Sequence, residues 1–257
     1  NRRWAHYTAT HILEGPPARP RPTAALRDRL RAALHQPARG LPAPRIESVT
    51  ELTDLSALGG RWFHSAEGPG YVIESVYEAG HMHGNVVLHR ALSLDMARLA
   101  PQGRDPRLGE RCGADLLYID TETTGLGGAG AMVFLAGVAR FDGALLRLRQ
   151  SLLPSPDLEI GLLGGIAGEL ASAGALVSYN GKSFDLPLLE SRYILSRRQP
   201  AFRQVPHLDL LHPNRRLFRY SFDSHRLTSL EVELLDFERD ADCPSSEVPE
   251  RYFRFQR

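Results

Sequence analysis

Between Asp115 and Leu153 three apolar runs succeed one another with only short polar breaks: Asp115 to Asp120, Ala131 to Phe141 and Ala144 to Leu153. Each is rich in branched and aromatic residues, and the last two are joined by Asp142-Gly143, a dipeptide suited to a tight hairpin. Strands joined by short turns are antiparallel, so the runs form a meander. After Leu153 the hydrophobic period changes. Leu158 to Ala173 reads as a helix, Ala175 to Tyr179 as a short buried strand, Leu186 to Arg198 as a helix with Pro187 in its first turn, and Val205 to Leu211 as a fifth strand. Arg226 to Leu235 places Leu227, Leu230 and Leu234 at helical spacing. The order β-β-β-α-β-α-β-α predicts an α/β domain with a mixed five-stranded sheet whose second strand is antiparallel, flanked by helices.

The preceding chain is different in character. Residues 1–45 are rich in Pro and Arg and are expected to form an arm, with one short helix from Thr23 to His35. Residues 46–112 carry strand-type residues at Trp62-Phe63, Tyr71 to Val76 and Val86 to Leu88, which predicts a small β-rich unit and then a linker near Pro101 to Gly113. His81, His83 and His89 lie in that unit, but no further ligand or positioning carboxylate accompanies them, and no metal is assigned there.

Composition excludes several classes. No apolar run reaches the roughly 18 residues of a membrane span, and the two cysteines, Cys112 and Cys243, make neither a zinc box nor a disulfide framework. A reducing cytoplasm is expected. Net charge is +1, so the chain is no polycation, although Arg carries nearly all of its positive charge and Lys182 is the single lysine.

The stretch "LLYIDTETTGLGGAGAMVFLAGVARFDG" holds the chemistry and has two readings. Gly125, Gly127 and Gly130 have the G-x-G-x-x-G spacing of a dinucleotide turn. Such a turn starts a helix, whereas here a strand comes next, and the acid expected about 20 positions later would be Asp142, in a hairpin. No dinucleotide cofactor is expected. Asp120 and Glu122, two apart on a strand, point to one side as the strand ends. They are either solvated acids at a loop entrance or oxygen ligands for Mg²⁺ or Mn²⁺.

A second motif, "LVSYNGKSFDLPLLESRY", runs from a buried strand through Asn180-Gly181-Lys182-Ser183 to Phe184-Asp185 and a helix. Taken alone, Asp185 is a residue favourable to a helix start. Together the segments resemble the DEDD exonucleases of the ribonuclease-H-like superfamily, whose first motif, D-x-E, is matched by Asp120-Thr121-Glu122, and whose second, Asn then an aromatic and Asp, is matched by Asn180, Phe184 and Asp185. "HLDLLHPNRRLFR" and "RLTSLEVELLDFERDADCPSSEVPERYF" narrow the resemblance to the YprB-type branch, from about Leu116 onward.

The resemblance implies a domain over 113–257 that hydrolyses phosphodiester bonds of single-stranded DNA or RNA from the 3′ end. Two divalent ions would be held by Asp120, Glu122 and Asp185, with Asp120 bridging. Thr123 and Thr124 would contact the terminal nucleotide, Leu126 would wedge against a base, and Asn180 and Phe184 would help to bind substrate; a structural role is open for Thr123, Thr124 and Leu126. Lys182 is either an ammonium near phosphate or a chance lysine. Arg192, Arg197, Arg198, Arg215, Arg216 and Arg219 either line a path for the strand or are solvated. One departure stands out: no Y-x-x-x-D, H-x-x-x-D or H-x-x-x-x-D occurs after Asp185. The fourth acid is expected downstream of Arg257, which would make the domain C-terminally incomplete; Asp209 is expected to be non-catalytic, and Asp236, Asp240 and Asp242 to lie in a solvated turn. A nucleic-acid-binding module without hydrolysis and a structure-specific endonuclease remain alternatives, and the sequence leaves the oligomeric state open.

Overall fold

The structure is a computed structural model that describes residues 55–125, 130–240 and 242–256. The expected Pro/Arg-rich arm, with its helix, and Leu126 lie outside the described residues. Within the compact unit that begins at Leu52, nine strands occur among the described residues: β1 (Arg61–Ser65), β2 (Gly68–Tyr77), β3 (Met82–His83), β4 (Val86–Val87), β5 (Leu116–Thr123), β6 (Val133–Asp142), β7 (Leu145–Leu152), β8 (Ala175–Ser178) and β9 (His207–Asp209). Six α-helices are described: α1 (Met96–Gly103), α2 (Glu159–Ser172), α3 (Asp185–Leu195), α4 (Leu211–Leu217), α5 (Leu227–Leu235) and α6 (Val248–Phe255).

Seven of the strands form one mixed sheet in the order β1-β2-β7-β6-β5-β8-β9. The meander is antiparallel, as the short turns require, and Gly143 takes a φ of 59° in the β6–β7 turn. Strands β5, β8 and β9 are parallel to one another. The sheet is therefore larger than the five strands expected. The hairpin β1–β2, read as part of a separate small unit, pairs with β7 from Tyr71↔Leu152 to Tyr77↔Leu146. The physical reason is the free edge of β7, whose unpaired N–H and C=O groups take the hairpin as a covering strand. The segment read as a linker, Pro101 to Gly113, contains the end of α1 and two short 3₁₀ turns, 106–110 and 113–115. Asp95 caps α1 by accepting from Arg98 N, and Asp105 caps the turn that Pro106 opens.

Alternation along β5 divides the core. Leu117 and Ile119 join the large cluster built with Leu162, Leu163 and Ile166 of α2 and Leu189 of α3, while Leu116 and Tyr118 face Met96 and Ala100 of α1 with Val177 and Leu208. All four residues of β8 are buried, as a parallel strand covered on both faces must be. Tyr252 of α6 stacks on Phe134, ring centroids 4.2 Å apart, and donates its hydroxyl to Leu153 O at 3.0 Å. Among the described residues no helix is long and apolar enough to cross a membrane.

Glycines on α2 let the helix approach the hairpin closely. A Cβ on Gly161 would lie 1.8 Å from Pro69 O, and one on Gly165 2.4 Å from the Phe63 ring, whereas one on Gly168 meets nothing within 4 Å. Gly→Ala favours a helix by up to about 1 kcal/mol, but a clash with a backbone carbonyl costs more. Gly161→Ala should therefore lower stability by roughly 1–3 kcal/mol, and Gly168→Ala should raise it by up to about 1 kcal/mol. Chemical denaturation of the two variants measures both; equal effects would show that the helix does not pack on the hairpin at Gly161.

Candidate active site

The site forms where β5 outruns its parallel neighbour. Pairing of β5 with β8 stops at Tyr118↔Val177, while β5 continues to Thr123. Beyond that point the N–H groups on this edge need another acceptor. Asp185, the first residue of α3, supplies it: Oδ1 accepts from Thr121 N at 2.9 Å and from Thr121 Oγ1 at 2.6 Å. Asp185 is buried, and its carboxylate ties the start of α3 to the end of β5.

Asp120 and Asp185 line one cleft of about 600 Å³, with Thr123, Tyr179, Asn180 and Phe184 among its walls. Phe184, Ile194 and Leu195 also line it and are exposed, which gives the acidic floor an apolar rim. Glu122 shares the strand face of Asp120 but is not among the residues lining this cleft. Thr124 is occupied in closing the β5–β6 connection, where its hydroxyl accepts from Met132 N at 2.9 Å. Thr123 donates to Gly125 O at 2.8 Å.

Electrostatics link the three acids. Burial, and then the charge of Asp185, push the Asp120 carboxyl up to about 6. Glu122 is raised by burial and by Asp120, Asp185 and Asp242, and Asp185 by burial against the lowering effect of its Thr121 bonds. Asp120 remains open to solvent through the cleft mouth. Opposing these shifts, Arg239 lowers Asp120 through its charge while bound to Glu231 at 2.6 Å and to Asp242 at 3.1 Å. Asp242, expected in a solvated turn, is thus paired with Arg239 and acts on Glu122. The donor set consists of hard oxygens whose mutual repulsion a divalent cation would relieve. Among the described residues, however, no three His, Cys, Asp or Glu side chains are grouped closely enough to hold a metal ion. Asp120 and Asp185 are the pair that the cleft brings together.

The loop between β8 and α3 is held from beneath. Asp209 of β9 is 1% exposed and accepts from Asn180 N at 2.8 Å, Lys182 N at 3.0 Å and Leu211 N at 3.1 Å. Asn180 takes a φ of 69°, a left-handed conformation that Asn tolerates. Gly181 N donates to Ser178 Oγ at 3.1 Å, and that hydroxyl contacts His207 Nε2 at 2.8 Å. A Cβ at Gly181 would lie 2.4 Å from Ser178 Oγ, so the turn needs glycine. Burial lowers His207 to about 4, which leaves it neutral. These bracing roles of Ser178, His207 and Asp209 had no sequence signature, because an acid at a strand end reads equally as a ligand and as an acceptor for backbone N–H groups.

The basic residues divide. Arg192 makes a two-pronged pair with Glu159, and Arg198 binds Glu67 at 2.8 Å, so both serve the fold rather than an open path for a strand. Lys182 lines a different cleft, together with Arg104, Arg215 and Arg216. It does not line the cleft of Asp120 and Asp185, and its charge acts instead on Asp105 and His207.

The RNase_H superfamily profile matches residues 117–257. The chain belongs to the RNase_H superfamily. An uncharacterized protein of Bacillus subtilis, YprB, is 41% identical over 143 residues, covering 55% of this chain and 34% of that protein. The chain thus spans about a third of the length of this relative. Among solved structures, E. coli exonuclease I in complex with a dT13 oligonucleotide is 14% identical over 55% of this chain and 40% of that one, with a TM-score of 0.40. Brucella melitensis NrnC bound to pGG is 21% identical over 51% and 58%, with a TM-score of 0.33. Both superpositions are weak.

Asp120 has a folded-state pKa of about 6, above the ordinary 3.8, so folding favours its protonated form and the ionised form weakens the fold at higher pH. In EDTA, Asp120→Asn should therefore raise the Tm at pH 8, with the gain fading as pH falls from about 6 toward 3.8. A gain independent of pH would contradict the assignment. Asp209→Asn replaces a carboxylate that has three N–H donors by an amide with one acceptor oxygen, and should cost about 2–3 kcal/mol in denaturant unfolding.

Proposed function

We propose that this domain is a divalent-metal-dependent nuclease that removes nucleotides from the 3′ end of single-stranded DNA or RNA. The observation that carries the reading is the convergence of Asp120, from the end of β5, and Asp185, from the start of α3, on one cleft with raised affinity for protons. Membership of the RNase_H superfamily and the DEDD pattern support it. Asp120 and Asp185 would hold Mg²⁺ or Mn²⁺, with Glu122 joining from the same strand. A bound divalent ion supplies Lewis-acid polarisation of the phosphoryl group and a hydroxide at neutral pH.

The protein's own groups define the rest. Thr121 fixes the Asp185 carboxylate, so that ligand does not have to be ordered when the site fills. Exposed Phe184 offers a stacking face to a base at the cleft rim, and Asn180 and Thr123 line the wall beside it. Asp209 is committed to three backbone N–H groups and does not line this cleft, so it braces the loop and does not join Asp120 and Asp185. The cytoplasm is the proposed compartment.

A second reading, a binding module without hydrolysis, is favoured by one observation: no three-ligand metal group is assembled among the described residues. A time course on 5′-labelled single strands in Mn²⁺ separates the two. The nuclease reading expects a ladder shortening from the 3′ end, no cutting of circular single strands, and a loss of at least about 1,000-fold in Asp120→Ala and Asp185→Ala, since a metal-ligating acid contributes several kcal/mol to the transition state. Unchanged strands with Mn²⁺-independent binding would leave the binding module; cut circles would indicate an endonuclease.

A further inference from the structure

We infer that a basic trough on the other side of the Asn180–Ser183 loop binds the phosphodiester backbone of a single-stranded nucleic acid, away from the bond that is cut. The inference rests on the nuclease reading for its substrate and on separate residues for its site. One part of the trough, about 460 Å³, is lined by Arg104, Lys182, His212, Arg215 and Arg216; the adjoining part, about 490 Å³, shares Arg215 and Arg216 and adds Arg219 and His225. The cations come from separate segments: the C-cap of α1, the β8–α3 loop, α4 and the turn after it.

These cations lack close carboxylate partners, and only Lys182 feels a further acid, Asp105, which is itself bound to Arg107. Elsewhere Arg61, Arg107, Arg149 and Arg203 are held by carboxylates. Arg104, Lys182, Arg215, Arg216 and Arg219 form no ion pair among the described residues. Asp209 is the single carboxylate lining either part, and three backbone N–H groups already share it. Arg216 is held by the carbonyl of Gln102 and by Gln102 Oε1 at 3.2 Å, which positions its guanidinium without cancelling its charge. Five cations gathered in this way repel one another unless an anion lies among them, and guanidinium forks match phosphate oxygens.

The shape favours a chain over a single anion. Two contiguous depressions share two arginines, so a bound polyanion passes from one to the other without leaving the positive field. At its outer end Arg219 lies over the ring of Tyr220, 5.2 Å from its centroid, and Tyr220 is 90% exposed, so an aromatic surface accompanies the cations there. At its inner end the trough meets the catalytic cleft across two residues of backbone. Asn180 lines the cleft and Lys182 the trough, and two residues span at most about 7 Å. A strand with its terminus at Asp120 and Asp185 therefore has the trough on the far side of this short loop.

The test uses the full chain and fluorescence anisotropy with a labelled 12-nucleotide single strand in EDTA, over a salt series. Each phosphate contact contributes roughly 0.7 to the slope of log K against log salt for a single strand. Arg215→Ser with Arg219→Ser should lower affinity about tenfold at low salt and reduce the slope by about 1.4, and Arg104→Ser, on another segment, should reduce it by about 0.7. Hydrolysis of bis-p-nitrophenyl phosphate in Mn²⁺, which does not reach the trough, should stay within about twofold of wild type, showing intact folding. Unchanged affinity and slope in all variants would overturn the trough. Lost binding in the variants, with no Mn²⁺-dependent hydrolysis by wild type, would keep the trough and overturn the nuclease reading.

Discussion

A shortage of backbone partners at the end of β5 organises the molecule's chemistry. The strand outlasts β8, and a buried edge N–H without an acceptor costs as much as a lost hydrogen bond. Asp185 meets that need at Thr121 with the same carboxylate oxygen that takes the Thr121 hydroxyl. The bond that completes the sheet edge thereby fixes an acid beside Asp120. Raised carboxylate pKa values are the consequence, chiefly because the fold holds both acids partly out of water and then because the charge of Asp185 acts on Asp120.

The meander and the acids were legible in the sequence because both depend on local pattern. Alternation decides which side of a strand a residue faces, so Asp120 could be placed at the strand's end from spacing, although Glu122 does not line its cleft, and Asp142-Gly143 announced the β6–β7 turn. Strand count was not legible. The β2–β7 pairing joins residues such as Tyr71 and Leu152, far apart in the chain, and no local signal records which edge a hairpin will cover. The helix α4 was hidden for another reason: its seven residues include Pro213, His212, Asn214, Arg215 and Arg216, which show no apolar period. Its burial of Leu211, Pro213 and Asn214 is decided by neighbours instead.

Side-chain direction in the β8–α3 loop was the other blind spot. Outside strands and helices the period that predicts direction disappears, and a single left-handed residue redirects everything after it. Asn180 is that residue. Lys182, two positions before Phe184 and three before Asp185, is open in sequence between an ammonium near phosphate and a chance lysine; in the fold it lines the basic trough while Phe184 and Asp185 line the cleft. The carboxylate that enforces this geometry, Asp209, sits on a different strand, so the cause could not be read from the loop's own residues.

The loop also resolves a conflict between two demands on charge. A cation-binding site needs carboxylates with little positive charge nearby, since cations would lower their affinity for metal, whereas a polyanion needs the reverse. Placing both on one face would neutralise each. Here a four-residue loop separates them, with Asp120 and Asp185 on one side and Lys182, Arg215 and Arg216 on the other. Because Asp209 is buried beneath the loop and its charge is spread over three N–H groups, it holds the partition without adding an exposed anion to the basic side. The near-zero net charge of the whole chain is thus a poor guide to its surface, because opposite charges are segregated on either side of one short loop.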